Sequence, residues 1–577
     1  MNISTLRNAP VLARILLLCL AGLALPALAS GGSLPREPAV ASANAYATDA
    51  GLEVLAAGGN AFDAAVAVSA MLGLVEPESS GIGGGGFFLL RTADGREVFI
   101  DARERAPLAA TRDMYLDAEG KPDRNRAVNG ALAAGIPGQP AGLVHLAEHY
   151  GRLPLSQSLA PAIRQSREGW RFGPKNASML GFRREVMAGD PGASALFLRD
   201  GQAPETGSLM LNPDYADTLE RLAREGADGF YRGELARRLV EGVRAGGGIW
   251  TLEDLAAYEV VEREPLSFEY RGHRILTAPP PSSGGIALMQ IFNVLSGYDL
   301  PALPRVERVH LVVEAMRRAY RDRTLYLGDP DFVRMPLDLL THPAYAAGLR
   351  ASIRTDRATE SAALPGVGQP YEPSDTTHFS IIDTEGNMVA VTQTVNLPYG
   401  NAFVVPGTGF LLNNEMDDFA IQPGLPNAFG LIGEDANAIT PGKRPLSSMT
   451  PTILLGAERN VVIGTPGGSR IITMVLLGLM ELMDGAGAQA AADLPRFHHQ
   501  YLPDSLSAEP GAFSPDEVAA LEAKGHAVAV GERTWGNMQV ALWNTRTGEV
   551  EAGSDPRWEG VGKGATGAPA RDEAIYR

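Results

Sequence analysis

Asp375-Thr376-Thr377-His378-Phe379-Ser380 stands where the chain changes character. Before it, residues 355–375 hold Pro365, Gly366, Gly368, Pro370 and Pro373 with little periodicity, the pattern of a flexible loop or linker. After it, His378–Asp383 and Met388–Val395 read as strands around a hairpin turn at Glu385-Gly386-Asn387, and Val461–Gly464 reads as another strand. A threonine hydroxyl is a poor nucleophile unless a base sits beside it. Cutting the chain before Thr376 would supply that base as a new α-amino group, whose reference pKa of roughly 7.7–8.0 leaves a useful neutral fraction at neutral pH. This variant of the catalytic triad needs neither histidine nor metal. A Thr-Thr pair at a strand start is also ordinary β-sheet sequence, and the residues by themselves leave both readings open.

Other chemistries fit less well. No G-x-S-x-G elbow is present, and the nearest glycine-serine run, Gly467-Gly468-Ser469-Arg470, fails its spacing. Gly81-Ile82-Gly83-Gly84-Gly85-Gly86 matches the dinucleotide fingerprint letter for letter. That fingerprint needs a strand before it and a helix after it. Here Ala61–Val75, capped by Asn60, has helical spacing ahead of the run, and the apolar strand Phe87–Arg91 follows it. The reversed order points to backbone in close approach to a neighbouring strand or ligand. His145-Leu146-Ala147-Glu148-His149 matches H-x-x-E-H but has no third ligand, and reads as a solvated helix face. His498-His499, in an Arg-Phe-His-His-Gln context, reads as structural.

The whole chain has ordinary globular composition: 577 residues, 45% hydrophobic, 20% charged, one cysteine. Its formal charge of −17 argues against nucleic acid as a partner. Arg7 and Arg14 precede an apolar run, Ile15–Leu25, that is too short to span a bilayer, and Ala27-Leu28-Ala29 fits a small-x-small cleavage rule. Residues 1–29 are therefore expected to be a signal peptide, and the exported chain, periplasmic or secreted, to begin at Ser30. Cys19 as a lipidation site is disfavoured by bulky Leu18. An uncleaved anchor is disfavoured by the cleavage signature. Removal of the segment takes away Cys19, leaving a cysteine-free protein without disulfides. No later segment is apolar enough for stable membrane insertion. Residues 130–275 read as mostly helical, Pro279–Gly285 as a rigid turn before a helix at Ile286–Leu295, and residues 306–327 as a long amphipathic helix.

Nine blocks, in order and across nearly the whole chain, resemble those of γ-glutamyltransferase (γ-glutamyl transpeptidase, glutathione hydrolase). They are Gly81–Phe88, Asp101–Pro107, Pro279–Ile286, Gly328–Phe332, Thr376–His378, Leu412–Phe419, Arg444–Met449, Pro466–Arg470 and Pro495–His499. The resemblance implies an N-terminal nucleophile hydrolase with an α+β, four-layer αββα sandwich. It implies self-cleavage at Asp375–Thr376, giving a large subunit, residues 30–375, and a small one, residues 376–577, that together form one catalytic domain.

By the same resemblance, Thr376 is the nucleophile, Thr394 supports it, and the amides of Gly467 and Gly468 form the oxyanion hole. Arg103 would grip the α-carboxylate of a γ-glutamyl group, with Ser447 and Ser448 adding hydroxyl donors. Asn396, Glu415 and Asp418 would hold its α-ammonium. Glutathione or a related γ-glutamyl amide would acylate Thr376, and water, an amino acid or a dipeptide would accept the group. No metal or organic cofactor is implied. Phe429 stands where many bacterial relatives carry a gating tyrosine, and Pro398 stiffens the loop beside Asn396. Two other readings are weighed. An acylase of the same superfamily, cleaving a β-lactam side chain, would leave Arg103, Glu415 and Asp418 unpaired. An uncleaved exported binding protein would have no use for Thr376, Thr394, Gly467 and Gly468.

Overall fold

The helix Ala61–Val75 starts on a reciprocal cap: the Asn60 side chain accepts from the Phe62 and Asp63 amides, while Asp63 accepts from the Asn60 amide. Such a cap contributes about 1 kcal/mol. All of its residues but Gly73 are buried, so it is apolar all round and belongs inside the protein. In the computed structural model, which describes residues 32–364, 376–428 and 430–564, this helix lies between a sheet and outer helices. The expected signal segment, residues 1–29 with Cys19, Asp375 with the Pro/Gly-rich residues before it, and Phe429 lie outside the described residues.

Two large sheets stack face to face. The first has seven strands in the order Val561–Gly564, Ala39–Ser42, Thr377–Ile382, Met388–Thr394, Gly85–Arg91, Glu97–Ala102, Val261–Arg263, all antiparallel. The second has six, in the order Val550–Ser554, Gln539–Asn544, Arg459–Gly464, Thr452–Leu455, His273–Thr277, Leu266–Tyr270. Alternation along the strands decides which core each residue joins. Phe87, Leu89, Phe99 and Ala390 face the second sheet, whereas Phe88, Leu90, Ile100 and Val391 face the helices Ala45–Ala56, Ala61–Val75 and Gln139–Tyr150. The helices Gly284–Leu295 and Ile471–Met483 cover the second sheet, and Arg305–Tyr326 packs against the first of them. The result is the expected α+β arrangement of helix, sheet, sheet, helix. Each sheet combines strands from before and after residue 376, interleaved in the first, so no folding unit ends there.

The hairpin, the strand at Arg459–Gly464 and the long helix, here Arg305–Tyr326, stand where the sequence places them. The helical reading of 130–275 holds to Ala256, but its tail forms strands. Phe268 and Tyr270 are buried while Ser267 and Glu269 are exposed, a period of two, and Gly272 at φ +75 makes the turn. Among the described residues no helix is long and apolar enough to cross a membrane.

Candidate active site

Antiparallel pairing sets Thr377 opposite Gln393 and Thr394 opposite Gly85, which brings Thr376 beside Thr394 at the end of the first sheet. Their hydroxyl oxygens are 3.4 Å apart, and both residues are buried. The Asn396 amide donates to Thr394 Oγ1 at 2.7 Å, so the Thr394 proton is available to Thr376. Behind the pair, Thr377 Oγ1 donates to Glu76 at 2.8 Å, and Glu76 accepts from Lys175 Nζ at 3.1 Å. This buried ion pair fixes the residue next to Thr376.

The glycine run allows the approach of these strands. A Cβ on Gly83 would stand 1.9 Å from the Leu411 carbonyl oxygen, and one on Gly84 would stand 2.0 Å from that of Thr394. The close-approach reading of Gly81–Gly86 is therefore correct.

Gly467 (φ +137) and Gly468 (φ +54) follow the strand Arg459–Gly464, in conformations that favour glycine, and lead into the turn Gly468–Arg470 and the helix Ile471–Met483. The end of that strand touches the first sheet near the nucleophile: a Cβ on Gly464 would meet the His378 ring at 2.2 Å.

Arg103, just past the strand Glu97–Ala102, is fully buried. It donates to Glu415, to Asp418 Oδ2 at 2.5 Å and to the Pro445 carbonyl at 3.2 Å. The three charged residues that the resemblance groups around a zwitterion thus form one ion-pair cluster. Glu415 Oε2 and Asn396 Oδ1 are buried acceptors with no hydrogen-bond partner among the described residues, a place for a cation with several N–H donors. Asn396 (φ +79) donates its side-chain amide to the Asn414 carbonyl at 2.8 Å. Tyr399 (φ +58) and Ala402 (φ +56) follow in the same loop, so backbone strain is concentrated beside the site.

An unbroken chain of contacts therefore joins Thr376, Thr394, Asn396, the Asn414-Glu415 backbone and Arg103. Arg103 then reaches Pro445, next to the Ser447-Ser448 segment. That segment is held by Pro279–Ile286, since Ser447 N–H donates to the Pro281 carbonyl at 2.9 Å and Ser283 N–H to the Ser447 carbonyl at 2.8 Å.

Burial raises the pKa of Glu415 and Asp418, while the surrounding carboxylates keep Arg103 charged. Glu104, which the motif reading did not single out, is a third carboxylate here, with Oε2 3.6 Å from Arg103 Nη1 and neither oxygen hydrogen-bonded among the described residues. Burial pushes it up to about 7. Its position in the Arg-Glu-Arg run gave no sign of inward orientation.

The histidines are structural. His378 bonds Thr392 at 2.8 Å and Ser380 at 3.1 Å, and burial lowers its pKa to about 3. His498 and His499 are likewise neutral and buried, at about 3 and about 4. His145 and His149 stack on a helix face, with His145 on Glu262 at 2.9 Å. No group of three His, Cys, Asp or Glu among the described residues is placed to hold a metal ion.

The sequence model of the family described as Gamma-glutamyltranspeptidase matches residues 47–565. The chain belongs to the γ-glutamyltranspeptidase family. It is 43% identical over 528 residues to the glutathione hydrolase proenzyme of Escherichia coli (strain K12), covering 90% of each chain. It is 46% identical over 496 residues to that of Pseudomonas sp. (strain A14), covering 85% of this chain and 86% of the relative. Its fold is also similar to the crystal structure of cephalosporin acylase from Bacillus halodurans, with a TM-score of 0.81, 29% identity and coverage of 92% of this chain and 96% of that one. The family fixes the class: the protein is an enzyme of the N-terminal nucleophile hydrolase type.

Proposed function

We propose that this member of the γ-glutamyltranspeptidase family is an autoprocessing glutathione hydrolase and γ-glutamyltransferase with Thr376 as its nucleophile. The unbroken contact chain from Thr376 to Arg103 carries this reading, because it joins a nucleophile to a charge cluster suited to an α-amino acid. The Asp375–Thr376 bond is cut first, giving subunits 30–375 and 376–577, and the freed amino group becomes the base. Thr376 Oγ1 then attacks the γ-glutamyl carbonyl. The Gly467 and Gly468 amides hold the oxyanion, and the amine, cysteinylglycine for glutathione, leaves. Water, an amino acid or a dipeptide takes the γ-glutamyl group from the acyl-enzyme.

Substrate binding exchanges partners within the charge cluster. The α-carboxylate takes over Arg103 with help from Ser447 and Ser448. The α-ammonium takes over Glu415 and Asp418 and reaches the open Asn396 oxygen. Each buried charge keeps an opposite charge throughout, which avoids the cost of leaving one unpaired. Residues 1–29 direct export, and the enzyme works in the periplasm or outside the cell.

The likeness to a cephalosporin acylase keeps a second substrate class in view. Purified protein on a denaturing gel, assayed with γ-glutamyl and glutaryl anilides, separates the two, since the glutaryl group lacks only the ammonium. Two bands with preference for the γ-glutamyl compound are expected. Preference for the glutaryl compound would favour the acylase, and one uncut band without release would overturn both.

A further inference from the structure

Arg323 lies in the helix Arg305–Tyr326, is 4% exposed, and makes no ion pair among the described residues. The other buried arginines of that helix, Arg317 and Arg318, both pair with Glu314. A guanidinium buried without a carboxylate is costly. Burial accordingly lowers its pKa to about 10, with Asp418 the carboxylate that offsets this from a distance.

Its hydrogen bonds go to two serines. Nε donates to Ser283 Oγ at 3.0 Å and Nη2 to Ser448 Oγ at 3.3 Å. Ser283 Oγ in turn donates to the Ser447 carbonyl at 2.7 Å. Ser447 Oγ accepts from the Met449 amide at 3.0 Å. Neither the Ser447 nor the Ser448 hydroxyl donates to an acceptor among the described residues. A serine oxygen that accepts from a fixed N–H keeps its own proton to give away. Both hydroxyls are therefore set as donors, which suits an anion beside them.

We infer that Arg323 is a positioning residue of the carboxylate subsite, which turns the Ser448 hydroxyl towards a bound α-carboxylate, holds Ser447 through Ser283, and supplies the second positive charge of that subsite. Its neighbour on the helix ties the same element to the oxyanion turn, since Tyr320 Oη donates to the Ser469 carbonyl. The inference rests on the γ-glutamyl reading above and adds a residue that contacts the substrate only through others.

The test compares wild type, Arg323→Gln, Arg323→Lys, Ser448→Ala and the Arg323→Gln/Ser448→Ala double variant on a γ-glutamyl anilide, each checked for cleavage on a denaturing gel. Arg323→Gln should raise KM at least tenfold with a much smaller fall in kcat, and Arg323→Lys should recover part of the loss. The Gln change should cost far less in the Ser448→Ala background than in wild type, because the hydroxyl it orients is gone. Equal costs in both backgrounds, or an unchanged KM in Arg323→Gln, would overturn the inference while leaving the γ-glutamyl reading intact. If Arg323→Gln is not cleaved, Arg323→Lys decides: a raised KM at near-normal kcat supports the role, and a normal KM removes it. Wild type that releases no anilide would remove both.

Discussion

Thr376 Oγ1 and Thr394 Oγ1 lie 3.4 Å apart at the ends of neighbouring antiparallel strands, and the second hydroxyl is pinned by the Asn396 amide at 2.7 Å. The contact between the nucleophile and Thr394 is thus built from sheet register. Thr394→Val keeps the shape and the strand while deleting the hydroxyl. It should lower kcat roughly tenfold, the kinetic equivalent of a hydrogen bond of about 1–1.5 kcal/mol, with little change in KM. Steady-state kinetics on a γ-glutamyl anilide checks this, and an unchanged kcat would remove Thr394 from the mechanism.

Gly468 carries φ +54, and its amide is proposed to meet the oxyanion. Gly468→Ala introduces strain at that amide and shifts it. Displacing one oxyanion donor costs about 2.7–4 kcal/mol of barrier, so kcat should fall by roughly 10²–10³. KM should move much less. A loss confined to KM would place Gly468 in ground-state binding instead.

Arg103→Ala should leave self-cleavage intact, giving two bands, but raise the donor KM steeply. It also strands Glu415 and Asp418, whose partner it removes. Breaking a buried pair in this way costs about 3–5 kcal/mol, so the melting temperature should drop as well. Normal donor binding by a folded, cut variant would refute the carboxylate role.

Glu104 gives a pH-dependent stability signature. Burial raises its folded pKa to about 7 from an ordinary value of 4.5. The folded state then holds the proton more tightly, so the group's contribution to stability is full below 4.5 and is lost as pH rises through 7. Glu104→Gln cannot ionise. It should melt close to wild type at acid pH and above it at alkaline pH. Thermal melts across that range check this, and a gap that shrinks with rising pH would contradict it.

Much of this was legible in the sequence, for reasons the structure explains. Asn60 and the apolar run after it define a buried helix, and the strands around Gly386 follow from alternation and a turn glycine. The glycine run was readable as a close approach, though only the fold identifies Leu411 and Thr394 as the residues approached. Arg323 and Lys175 were not legible. Arg323 sits in an arginine-rich helix whose linear pattern resembles a solvated face, and its burial depends on the Ser283 and Ser448 loops packed over it. Lys175 is buried because Glu76, Glu78 and Ser79, far away in sequence, converge on it. Long-range partners of this kind leave no local period. The same holds for the tail of 130–275, where tertiary pairing makes strands of a segment read as helix.

Thr376 as the nucleophile is tested most directly by mass spectrometry of the small subunit after acid quench during turnover of a γ-glutamyl donor. One γ-glutamyl group should be found on a peptide that begins at Thr376, and Thr376→Ala should remain a single uncut chain without label. Label on another residue, or normal cleavage of Thr376→Ala, would contradict the assignment.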